Sequence, residues 1–122
     1  MQNKSLPVLI VEDSTTVRNL ISQMLTALGF EQINEATDGT TALAKLREQP
    51  HGLVLTDWHM PGLNGRQLIE QVRKDPALAS IPIIVIAGDE GDGEEGVRIG
   101  ANAYLGKPFR RAQLAEKIDA LP

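Results

Sequence analysis

The chain has 122 residues, 16 acidic against 12 basic side chains for a net charge of −4, 42% hydrophobic residues and no cysteine. That length suits one domain, spanning 1–122, that buries roughly two-thirds of its unfolded surface, and the missing cysteines exclude a disulfide framework or a thiolate zinc centre. The acidic balance disfavours nucleic acid as a partner, since Arg110-Arg111 is too small a basic patch, and no apolar run reaches membrane-spanning length. Met1 to Ser5 lack the apolar core of a signal peptide, so a cytoplasmic protein that engages no membrane is expected.

In chain order, short apolar runs alternate with segments of helical period, the pattern of strand-helix units around a parallel sheet. Pro7 to Val11 reads as the first strand, followed by Glu12-Asp13-Ser14. Val17, Leu20, Ile21, Met24, Leu25 and Leu28 then recur at three- and four-residue spacing, and Gly29 sits where a left-handed helix cap belongs. Ile33 to Ala36 is the second strand, and Asp38-Gly39 opens a helix ending near Glu48. Gln49-Pro50-His51-Gly52 breaks the chain, with His51 read as loop surface. Leu53-Val54-Leu55-Thr56 carries Asp57 to the end of the third strand, where Pro61-Gly62 forces a reversal and places the acid in an exposed position.

Leu68, Ile69 and Val72 form the stripe of the third helix. Ile81 to Ala87 is the most β-branched run and predicts a buried strand. Between Gly88 and Gly100 the fourth helix is expected to be short or mobile. Gly91, Gly93 and Gly96 each weaken it by about 1 kcal/mol relative to Ala, leaving Val97 and Ile99 to hold it by packing. Gly91 to Gly96 also matches the G-x-G-x-x-G pattern. However, it is crowded with Asp and Glu and follows the fourth strand, so it does not suit a pyrophosphate. Ala103 to Leu105 is the fifth strand, and the last helix carries Leu114, Ile118 and Leu121. With Pro122 directly after it, no output domain is expected.

In a right-handed parallel sheet the first strand delivers Glu12 and Asp13, the third Asp57 and the fifth Lys107 to one edge. Crowded carboxylates repel unless a cation neutralises them, and an oxygen-only site open to water and phosphate suits Mg²⁺. Asp57 then stands as a nucleophile able to form an acyl phosphate, and Lys107 as a flexible charge for a phosphoryl oxygen. Taken singly, Asp57 also suits a turn cap, and Asp13 or Ser14 the N-cap of the first helix.

Val8 to Ser14, Leu55 to Gly65 and Gly100 to Phe109 together resemble the signature blocks of response-regulator receiver domains, the CheY-like family. The resemblance covers essentially the whole chain. It implies an α/β, doubly wound, five-stranded flavodoxin-like sheet of order 2-1-3-4-5 with five helices. It implies that Asp57 takes a phosphoryl group from a phosphohistidine of a sensor histidine kinase or histidine phosphotransfer protein, switching a face made by the fourth helix, fifth strand and fifth helix toward a downstream target. Glu12, Asp13, Asp57 and the backbone carbonyl of His59 would hold Mg²⁺, and Lys107 would contact the phosphoryl group and precede a cis bond to Pro108. His59 would stand at the rim as a modulator of water access, and Trp58 would be a packing and rim residue.

One departure qualifies this. Where the family carries a Thr or Ser hydroxyl this chain has Ala87, followed by Gly88. Loss of that donor removes about 1.5 to 3 kcal/mol of state-dependent bonding. The usual coupling to the aromatic position, Tyr104, is therefore not expected. The backbone N–H of Gly88, with ordering of the glycine-rich segment, is the expected substitute. Two other readings stay open: a receiver-shaped interaction module that is never phosphorylated, and a Mg²⁺-dependent phosphatase with His59 as general acid.

Overall fold

A computed structural model describes residues 4–122, with Met1 to Asn3 outside the described residues. Five parallel strands, β1 (Val8–Val11), β2 (Ile33–Ala36), β3 (Leu53–Asp57), β4 (Ile83–Ala87) and β5 (Ala103–Gly106), form one sheet in the order β2-β1-β3-β4-β5. Helices α1 (Thr15–Ala27), α2 (Gly39–Glu48), α3 (Gly65–Lys74), α4 (Glu90–Arg98) and α5 (Arg111–Asp119) alternate with the strands. The fold and order anticipated from the residues and the resemblance are both present.

Every residue of β1, β3 and β4 is buried, as helices on both faces require. One core lies under α2, α3 and α4 and holds Leu9, Val54, Leu68, Ile69, Val72 and Val85. The other lies under α1 and α5 and holds Ile10, Ile21, Leu25, Leu55, Leu114 and Ile118. Successive strand residues point to opposite faces, so each strand feeds both cores. No helix among the described residues is long and apolar enough to cross a membrane.

The termini follow local chemistry. Ser14 caps α1 by accepting from the Val17 N–H, Asp38 and Asp89 cap α2 and α4 in the same way, and Asn64 with Gln67 closes a capping box on α3. Gly29 closes the α1 end at φ 97°, a left-handed conformation that favours glycine.

Several local expectations change. Leu20, placed on the α1 core stripe, is 51% exposed, because Ile21 and Leu25 already fill the buried arc. Leu121 is buried but follows the last helical residue. Val97 is exposed and only Ile99 packs, so α4 is not held as expected. It forms nonetheless over nine residues, because Gly93 and Gly96 are buried where the helix lies closest to the sheet. His51 is 6% exposed and is not loop surface. Its Nδ1 lies 3.0 Å from the Gln49 carbonyl oxygen, which can only accept, so Nε2 is left to accept from the Asn34 amide at 3.1 Å.

Candidate functional site

Parallel register brings three chain segments to one edge. Thr56 pairs with Val11 and Asp57 with Ile86, so Glu12 and Asp13, just past β1, lie beside the end of β3. Ala87 pairs with Gly106, which sets Lys107 next to the same edge and lets its N–H donate to the Ala87 carbonyl at 2.9 Å.

Asp57 is only 7% exposed, which corrects the expectation of an open position. The residues that follow it fold back over the strand end. Trp58 and Met60 enter the core, and the Gly65 N–H donates to the Trp58 carbonyl at 3.0 Å. A Cβ at Gly65 would overlap the Asp57 carbonyl, so only glycine lets α3 start this close to the acid. Thr56 Oγ1 donates to the Asp57 carbonyl at 3.0 Å, and the Trp58 N–H donates to Asp57 Oδ1 at 2.9 Å. The carboxylate is thereby aimed while Oδ2 faces Lys107.

Carboxylate oxygens of Glu12, Asp13 and Asp57 lie within 4.8 Å of one another, Asp13 exposed and the others buried. Lys107 Nζ is 3.1 Å from Asp57 Oδ2 and 3.4 Å from Glu12 Oε1. Burial drives the Glu12 carboxyl above the ordinary range. A hydrogen bond from the Ser14 N–H works against this, and the charge of Asp57 adds to it. Burial would depress the Lys107 ammonium, but the hydrogen bond and charge of Asp57, then Glu12, outweigh it and raise the ammonium instead. One ammonium pairs with two of three clustered acids, so the site retains excess negative charge. All its side-chain donors are oxygen, the set that fits a hard divalent ion. The Lys107-Pro108 bond is cis.

The other anticipated residues divide. The Ala87 side chain is fully buried in apolar surroundings and contributes no donor. Gly88 lies just past β4, exposed, with open space where a Cβ would stand. Tyr104 packs against the core and fills the place a Cβ at Gly93 would take. The His59 side chain is 79% exposed, and its Nε2 contacts Asp92 Oδ2 on α4 at 3.0 Å. Of the two cap candidates, Ser14 takes the N-cap role and Asp13 joins the acids.

Sequence reasoning missed Arg18, whose Nη1 donates to the Glu12 carbonyl at 2.9 Å while its Nε pairs with Glu35 at 2.9 Å, fixing the loop that carries two of the acids. Its place one turn after Ser14 is the signal that could have found it.

Comparison with known proteins agrees with this geometry. A family model described as the response regulator receiver domain matches residues 8–119. Chemotaxis protein CheY-3 of Vibrio cholerae is 38% identical over 121 residues, covering 98% of this chain and 93% of that protein. The chemotaxis response regulator CheY4 of Vibrio cholerae, in a crystal structure, superposes with a TM-score of 0.87 at 28% identity, covering 97% and 99% of the two chains. The receiver domain of a sensor histidine kinase from Pseudomonas aeruginosa, solved with a magnesium ion in its active site cleft, gives 0.83 at 31% identity over 92% and 93%. With its fold, its acidic strand-end cluster and a family match over nearly its full length, the chain belongs to the response regulator receiver domains, the phosphorelay signalling modules of two-component systems.

Proposed function

We propose that Asp57 is the phosphoacceptor and takes its phosphoryl group from a phosphohistidine on a sensor histidine kinase or histidine phosphotransfer protein. The observation that carries this reading is the pairing of a buried, backbone-aimed carboxylate with Lys107 at 3.1 Å inside a cluster of oxygen ligands. An Asp57 oxygen attacks phosphorus and forms the O–P bond. The donor's N–P bond breaks, and its electron pair returns to the imidazole nitrogen. Lys107, already between Asp57 and Glu12, is placed to pair with a phosphoryl oxygen as charge accumulates there.

Glu12, Asp13, Asp57 and the carbonyl of His59 would hold Mg²⁺, the ion present in the similar Pseudomonas aeruginosa receiver. Bound there, it supplies Lewis-acid charge to phosphoryl oxygens. The protein is a phosphoacceptor with slow self-hydrolysis and not a substrate-turnover enzyme. It acts as one receiver domain over 1–122, in the cytoplasm, between a phosphohistidine donor and a downstream protein target.

The test is intact-mass detection of a phosphoryl adduct after incubation with Mg²⁺ and phosphorylated histidine kinases. The adduct is expected on the wild-type chain and absent from Asp57→Asn and from metal-depleted protein. Ala87 favours a second reading, a receiver-shaped interaction module that is never phosphorylated. Failure of every donor, including a small acyl phosphate, to label Asp57 would establish it.

A further inference from the structure

The end of β4 offers the phosphoacceptor no polar side chain. Ala87 is apolar and fully buried, and Gly88 has no side chain. A ligand shifts a conformational equilibrium only through interactions that differ between its states, and with only the Gly88 backbone N–H left at β4 a change at Asp57 calls for a further route out of the site. The residues after Asp57 supply one.

Two contacts from the β3–α3 connection and one from the first turn of α3 reach a single face of α4. The indole of Trp58 lies over Gly96, where a Cβ would come within 3.3 Å of Trp58 Cζ3 and 2.7 Å of Val85 Cγ1. The imidazole of His59 reaches Asp92 Oδ2 at 3.0 Å. Arg66 Nη1 contacts Glu95 Oε2 at 2.6 Å, and Arg66 directly follows the glycine seated on the Asp57 carbonyl. Positions 92, 95 and 96 are three and four apart, the spacing that places side chains on one side of a helix. Glycine at 96 lets the helix descend onto the indole, Asp92 meets the His59 ring of the loop, and Glu95 is shared between Arg66 of α3 and Arg98 of its own helix.

We propose that this face of α4 is the sensor of Asp57, and that Trp58, His59 and Arg66 carry the state of the acid to it in place of a hydroxyl on β4. The inference rests on the reading of Asp57 as phosphoacceptor. Trp58 and His59 are covalently next to the group that changes, and Gly65 N–H to Trp58 carbonyl bonding ties the start of α3 to the same loop. A small displacement of the loop, and of the α3 start tied to it, is thus delivered to α4 at three points along one face.

The experiment uses the full chain, Mg²⁺ and acetyl phosphate as donor, with adduct formation read by intact mass and α4 by hydrogen exchange of residues 89–99. The wild type is expected to take up the phosphoryl group and to change its α4 exchange rates at least fivefold. Arg66→Ala combined with Asp92→Ala is expected to take up the group to within twofold of wild type, while its α4 response shrinks at least threefold. Alanine favours helix more than aspartate does, so α4 is expected to persist. Should the double variant lose α4 protection before phosphorylation, Asp92→Ala alone carries the comparison, with about a twofold smaller response expected. An adduct with an undiminished α4 response in the variant overturns the inference, as does an adduct on the wild type with no α4 response. Absence of any wild-type adduct removes the phosphoacceptor reading first, and this inference with it.

Discussion

The two ends of the sheet are built on opposite accounts of polar groups. At the end where the strands begin, polar groups satisfy one another. Arg73, on α3, donates to the carbonyls of Gly100, Ala79 and Ile81 at 2.9, 3.0 and 2.7 Å and to Asn102 Oδ1 at 3.1 Å, and that same Oδ1 accepts from the Ile83 N–H. His51 is closed between Gln49 and Asn34. At the other end three carboxylates cluster, and one lysine pairs with two of them. Stability resides where donors and acceptors balance, and reactivity where they do not. The second arrangement is tolerable because the first holds the strands in register.

The sharpest way to break this contrast is Arg73→Ala. It removes a charged donor from three carbonyls and an amide drawn from separate loops, groups that compensate a guanidinium depressed by burial. Leaving the part-buried carbonyls of Gly100 and Ile81 unpaired costs about 3 kcal/mol, and the melting temperature should fall by roughly 10 °C. Phosphoryl uptake on Asp57, measured by intact mass well below the transition, should stay within twofold. A large loss of uptake would show that the two ends are not separable.

Magnesium tests the other end with a somewhat smaller effect. Because the site carries excess negative charge, a divalent ion binding only the folded chain should stabilise it, by about 2.7 kcal/mol at a concentration one hundred times its dissociation constant. The expected readouts are a rise in melting temperature and a change in the emission of Trp58, which directly follows Asp57. Asp57→Asn should abolish most of both. Titration that moves neither would contradict a metal-binding role for the cluster.

Periodicity and strand-end chemistry made much of this legible before any coordinates. Leu68, Ile69 and Val72 announce a buried stripe by spacing alone, and an apolar run ending in Asp57 announces an acid at a sheet edge. What sequence could not convey was enclosure. Asp57 is buried because Trp58, Met60 and Gly65 fold over it, and no local pattern encodes a roof assembled from packing. Three of the four partners of Arg73 are backbone carbonyls, which carry no residue identity to read. The glycines of α4, which keep that helix to nine residues, have a second role hidden for a related reason. Propensity counts them as weakness, whereas at Gly93 and Gly96 the missing side chain is what admits Tyr104, Trp58 and Val85. His51 sits in a Gln-Pro-His-Gly string that looks like exposed loop, and its contact with Asn34 on β2, two strands away in the sheet, accompanies its burial.

That histidine gives the smallest predicted effect and the finest test of the balanced end. Burial pushes its pKa below the ordinary 6.5, partly opposed by the Gln49 hydrogen bond, with Lys45 adding repulsion. The neutral ring is the form that fits, since Nε2 must accept from Asn34. A group whose folded pKa is depressed binds more protons when unfolded. Its contribution is therefore fully present above about 6.5 and is lost as pH falls through the depressed value. Lowering the pH from about 7.5 to about 5 should cost the wild type more in melting temperature than it costs His51→Gln, with carboxylates and His59 common to both chains. Equal losses would mean that Asn34 turns its amide and lets the oxygen accept from the imidazolium. The balance at that end would then be adjustable and not fixed.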